Sequence, residues 1–159
     1  MAELSAEEKV RRARAGDATV AAAMAKAVAE KYGAEGLAAL REELFNTYMK
    51  FLPKMAAQLG IRPGEGHCQD WVKLESAISD IAGAACTVVE SSPKRAVMRF
   101  TSCVSAGAYR RTFPQMCREV IVGVERAGAA TVNPKMRFTA TKFMPEGDEY
   151  CEIICELEE

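Results

Sequence analysis

The chain closes with PEGDEYCEIICELEE, residues 145–159, and the alternation in this stretch decides how the second half folds. Side chains of a strand point to opposite faces in turn. Cys151, Ile153, Cys155 and Leu157 therefore share one face, and Tyr150, Glu152, Ile154 and Glu156 share the other. The first face is the drier, so both thiols are expected to point inward, with Gly147-Asp148 supplying the turn that enters the strand. Working back along the chain, Lys135 to Phe143 reads as the partner strand, joined through Met144–Asp148. Cys86–Glu90 and Ala96–Cys103 read as an earlier hairpin around Ser91-Ser92-Pro93-Lys94. Pro93 has no amide hydrogen and belongs in that connection. Between the hairpins, Met116–Glu125 is expected to be a helix that opens near Pro114 and breaks around Gly128.

The first half has a helical period. Ser5-Ala6-Glu7-Glu8 is a capping-box pattern for a short charged helix. Asp17 is placed to cap a second helix, with Val20, Met24 and Val28 as its apolar stripe and Gly33 as its end. Leu37, Leu40, Leu44, Tyr48, Phe51, Met55 and Leu59 then recur at three- and four-residue steps, predicting a long helix from about Ala34 to Leu59, ended by Gly60. GIRPGEGH, residues 60–67, is a loop by its glycine and proline content. A further helix carries Trp71, Leu74, Ile78 and Ile81 and runs out near Gly83. The fold class expected is α+β: N-terminal helices followed by an antiparallel β-sheet with one inserted helix, in the order β-hairpin, helix, β-hairpin. Residues 1–159 are read as one domain, with 1–16 a flexible lead or a short N-terminal helix.

Composition narrows the function classes. Hydrophobic residues make up 49% of the chain and charged residues 27%, the profile of an ordinary globular protein. A formal charge of -1 offers no electrostatic footprint for nucleic acid or an anionic membrane. No apolar run approaches the length of a membrane span, and Met1–Asp17 has no apolar export segment, so a cytoplasmic location is expected. There the six cysteines are expected as thiols or metal ligands, not disulfides. They form no CxxC pair. A homo-oligomer is compatible with all of this.

Few residues have the makings of a site. His67 is the only histidine, and its glycine-rich loop favours a solvated imidazole. Cys103 ends a strand, Cys117 begins a helix and Cys151 lies on the inward face of the last strand, so the topology can bring all three around one cavity. A thiol there fills core volume, ligates a soft metal such as zinc, or acts as a nucleophile if its pKa is lowered. Cys117 is the best placed nucleophile, in a first helical turn with Arg110, Arg111 and Arg118 close in sequence. Arg110-Arg111, read as part of a loop, can clamp a carboxylate or remain a solvated pair. Cys86 and Cys155 are expected to be ordinary buried residues.

The runs VMRFTSC, PQMC and VNPKMRFTATKFMPEGDEYCEI resemble the L-2-amino-thiazoline-4-carboxylic acid hydrolase family over roughly residues 96–157. The matching elements are Cys103, Cys117, Asn133-Pro134, Gly147-Asp148 and Cys151. Val104 stands where that family usually has proline, and Val120 stands where an aspartate is expected. The resemblance implies hydrolysis of a carbon–nitrogen bond in a small cyclic amidine or thiazoline carboxylate. It further implies Cys117 as nucleophile or metal-bound thiolate with Cys103 and Cys151 in support. Glu119 or Asp148 would then act as acid and base, and Arg110 or Arg111 would hold the substrate carboxylate. The same layout also looks like 4-vinyl reductase-type domains, which bind small molecules without catalysis. A polar pocket with converging arginine and glutamate would favour hydrolysis; an apolar one without them would favour binding.

Overall fold

A computed structural model describes residues 3–158; residues 1, 2 and 159 of the expected domain lie outside the described residues. The fold is α+β, with helices first and a four-stranded antiparallel sheet after them. Among the described residues no helix is long and apolar enough to cross a membrane.

Helix α1 spans Ala6–Met49 and joins what the sequence divides into separate helices. Ser5 Oγ accepts from the Glu8 amide at 3.1 Å, as expected of a cap. The Glu8 carboxylate, however, is taken by the Nε–H groups of Arg11 and Arg12, each at 2.7 Å. Asp17 sits inside the helix, because Gly16 before it keeps a helical backbone and does not end the turn. The expected stripe is also turned: Val20 and Met24 are 55% and 65% exposed, and Ala18, Ala22 and Ala25 form the buried face. Small side chains there let α1 pack close to its neighbours. Gly33 (φ 61°, ψ -148°) does interrupt the helical path, a conformation that a side chain would strain. The helix ends at Met49 because Pro53 lacks an N–H and its ring crowds the carbonyl four residues back. The chain restarts as α2, Leu52–Gln58, with Pro53 in its first turn.

Helix α3, Cys68–Ala82, begins where Asp70 Oδ2 accepts from the His67 amide at 2.9 Å and ends at Gly83 (φ 73°). Trp71 and Leu74 are fully buried, whereas Ile81 is 65% exposed. Strands β1 (Ala84–Ser91), β2 (Arg95–Cys103), β3 (Met136–Lys142) and β4 (Cys151–Leu157) form a sheet in the order β1-β2-β4-β3. The two hairpins meet along β2 and β4, with Phe100 opposite Cys151, Met98 opposite Ile153 and Ala96 opposite Cys155. These rows bear the inner face: Met98 and Cys155 are fully buried, Ile153 nearly so, and Trp71, Leu74, Ala129 and Val132 belong to the same core. The other face carries a polar ladder in which Glu152 accepts from Arg99 and Thr141, both at 2.8 Å.

The connection between hairpins holds more than the expected helix. Ala106–Thr112 forms α4, so Arg110 and Arg111 lie on a helix and not in a loop. Cys117–Ile121 is one π-helical turn, running into α5, Val122–Val132. Gly128 does not break α5; it lies buried inside it, beside Glu75 of α3. A helical glycine sacrifices about 1 kcal/mol of propensity, a cost the packed helix absorbs here. A second core joins α1 to α4 and the π turn through Ala18, Ala22, Ala25, Leu37, Ala108, Tyr109, Met116 and Val120.

Candidate functional site

A cavity of about 260 Å³ lies where the two cores meet. The sheet contributes Phe100, Phe138, Ala140, Cys151 and Ile153, and α3 contributes Glu75, Ile78 and Ser79. Glu125 of α5, Tyr48 of α1 and Tyr109 of α4 also face it. The π turn brings Cys117 and Ile121 to the wall. In that turn the Val122 amide reaches the Cys117 carbonyl five residues back, a widened geometry that recurs at functional sites.

Cys103, Cys117 and Cys151 all line this cavity, as their topological placement predicts. Their surroundings differ from the expectation for a reactive thiol. Burial pushes the Cys117 thiol far up, and the nearby sulfurs of Cys151 and Cys103 add to the effect. Cys151 is raised by burial as well, opposed by the Met144 amide, which donates to its Sγ at 3.2 Å. The cations meant to activate Cys117 point elsewhere. Arg118 Nε binds Glu146 at 3.0 Å and its guanidinium lies over Phe143. Arg110 donates to the Met144 carbonyl, and Arg111 is exposed. Among the described residues no three His, Cys, Asp or Glu side chains are arranged to hold a metal ion.

The remaining sequence candidates also lie outside the cavity wall. Glu119 is engaged by Arg41, whose Nη1 is 3.0 Å from its carbonyl oxygen and 3.7 Å from its carboxylate. Asp148 is exposed and accepts from the Phe143 amide at 2.7 Å, which is turn chemistry. His67 is exposed at the start of α3. Cys155 is fully buried, while Cys86 is only half-buried on β1.

The most unusual polar groups are two that sequence reading passed over. Glu75 is 2% exposed, and Glu75 and Glu125 each have a buried Oε2 with no hydrogen-bond partner. Glu75 sits four residues after Trp71 and four before Ser79, inside the buried stripe of α3; an acid within an apolar face was the available signal. Glu125 follows Val124 in a run of small apolar residues, and only the packing of α5 reveals its burial. Tyr109 was likewise missed. Its phenol is pushed up to about 12, first by burial and then by Cys117.

Cys103 also borders a second, outer cavity of about 560 Å³ with Arg11, Arg14 and Val104. The thiolate is the nucleophile, so the raised Cys117 thiol should react slowly. Brief iodoacetamide treatment with mass mapping is expected to label Cys103 before Cys117. The reverse order would restore Cys117 as the activated thiol.

No family model and no curated protein matches the sequence. Solved structures do share the fold. The phenol-responsive sensory domain of the transcription activator PoxR, solved with phenol, aligns at a TM-score of 0.67 and 10% identity, over 88% of this chain and 74% of that one. A trafficking protein particle complex subunit 3 from Naegleria fowleri, covalently bound to palmitic acid, aligns at 0.63 and 17% identity, over 92% and 95%.

Proposed function

We propose that this protein is a small-molecule-binding domain whose ligand occupies the cavity between the inner face of the sheet and helices α3 and α5. The observation that carries the reading is the cavity itself: about 260 Å³, walled mainly by apolar and aromatic side chains, with a few converging polar atoms. An apolar cavity of about 150 Å³ accepts benzene, and drug-sized ligands need roughly 300–1,000 Å³. A single ring with a short substituent therefore fits. Two proteins of the same fold are described with mainly apolar small molecules, phenol in one and palmitic acid in the other, which supports the reading.

Hydrolysis of a thiazoline carboxylate is supported less well. Arg110, Arg111, Glu119 and Asp148 are absent from the wall, and the raised thiols are poor nucleophiles. Lys142 is the basic side chain that does line the cavity, and its ammonium donates to Tyr150 Oη at 2.7 Å.

Calorimetry and thermal unfolding with toluene and benzyl alcohol test the reading. A ligand present at a hundred times its Kd stabilises by about 2.7 kcal/mol, which for a chain of this size raises Tm by roughly 5–11 °C. Ala140→Leu, which fills the cavity from β3, is expected to remove both heat and shift while circular dichroism stays unchanged. Absence of binding by these and by amine- and carboxylate-bearing rings of the same size, or undiminished binding in Ala140→Leu, would reject this site. The parent is expected to return an aminothiazoline carboxylate unchanged; turnover would favour the hydrolase instead.

A further inference from the structure

The acid pair says what kind of ligand the cavity prefers. Glu75 and Glu125 approach from adjacent helices, close enough for each carboxyl to perturb the other. Burial raises both acids, and the neighbouring Glu125 charge raises Glu75 further. Two buried carboxyls this close resist ionising together, and a cation placed between them is what would favour their charged forms. Each still has an unpartnered buried oxygen.

The titratable groups that interact with this pair carry no positive charge. Cys86 of β1 lies near Glu75. Tyr48 of α1, Cys117 of the π turn and Cys151 of β4 all feel the Glu125 charge. None of these groups is a cation; the Lys142 ammonium also lines the cavity and keeps its charge, but it is directed at Tyr150 Oη. The cavity thus combines an acidic, under-bonded patch with the rings of Tyr48, Tyr109, Phe100, Phe138 and Phe143.

We propose that the ligand is a small apolar amine bound as its ammonium ion, donating N–H bonds to Glu75 and Glu125 while its hydrocarbon part lies against the aromatic wall. The inference rests on the binding function proposed above and assigns its ligand class. An ammonium carries three donors, enough for both free oxygens, whereas an alcohol carries one. Its charge is rewarded by the carboxylate and by the aromatic faces. A ligand carboxylate would meet the same patch as a like charge and be rejected.

Titration calorimetry at neutral pH with benzylamine, benzyl alcohol, toluene and benzoate reads this directly. Benzylamine is expected to bind at least about tenfold more tightly than benzyl alcohol, with benzoate undetectable. In Glu75→Gln/Glu125→Gln the amine preference should shrink to within about twofold while toluene still binds. Glu125→Gln alone should reduce it in the same direction, which keeps the test decisive if the double variant does not fold. Equal binding of amine and alcohol in the parent, or a preference that survives both substitutions, would overturn the amine and leave the cavity function standing. If none of the four probes binds, the cavity function falls and the ligand class falls with it.

Discussion

Gly123→Val is expected to destabilise the protein by about 3 kcal/mol, the upper end of what overpacking does, and to lower Tm by roughly 6–12 °C. A Cβ at this position would lie 2.2 Å from the carbonyl oxygen of Arg41 and 3.1 Å from its carbonyl carbon. The obstacle is backbone in the middle of α1, so no side-chain rotation relieves it. Helix α5 must retreat from α1, and Arg41 then loses its bond to the Glu119 carbonyl. Such a change consumes a large share of the ~5–15 kcal/mol by which domains are stable. Gly128→Ala, one helical face away, is the control. Its Cβ would meet only Glu75 Oε2, at an ordinary 3.7 Å, so relief of glycine's helix penalty should stabilise by up to about 1 kcal/mol. Urea denaturation of the two variants should give opposite signs; equal effects would mean that the α1–α5 approach is not the determinant.

Replacing Glu75 and Glu125 together with methionine is expected to stabilise the unliganded protein at neutral pH by roughly 1–4 kcal/mol, the range seen when buried charged groups give way to packed apolar ones. The pH dependence fixes the origin of the gain. Both acids are raised above the ordinary carboxyl value of 4.5. In the window above that value the folded state holds more protons than the unfolded one, so this pair's contribution is full below it and lost as pH rises through the folded pKa. The methionine variant lacks that loss. Its advantage over the parent should be small near pH 4 and grow toward pH 7.5, read by urea midpoints at each pH. An advantage that is flat in pH would assign it to packing alone. A protein more stable without two of its buried acids has retained them for something other than folding, in keeping with the trade between stability and function.

Much of the sheet was legible because its signal is local. The period-two alternation in Cys151–Leu157 places Ile153 and Cys155 in the core and Glu152 on the outer ladder. Pro93 and Gly147 mark connections through backbone constraints that act on single residues. The helical half was less legible for an equally physical reason. Valine and methionine mark a core face only if something covers it, and Val20 and Met24 stay exposed because α4 and the π turn cover the alanine side of α1. Gly128 reads as a break by propensity, but the burial of α5 around it outweighs about 1 kcal/mol of helix penalty.

The site divides in the same way. Strand end, helix start and inward strand face are positions the chain order supplies, and they sufficed to bring Cys103, Cys117 and Cys151 to one cavity. Their reactivity depends on desolvation, which no spacing encodes, and burial moves Cys117 opposite to the direction its neighbouring arginines suggest. Arg118 adjoins Cys117 in sequence yet binds Glu146, because a helical turn aims successive side chains about 100° apart, and Arg110 of α4 is held by the Met144 carbonyl. The sequence by itself determined the α+β order, the strand faces and the three thiols of the wall. Tertiary structure alone decided that Glu75 and Glu125, fifty residues apart, come together with buried unpartnered oxygens, since the burial of a charge is a property of everything packed around it.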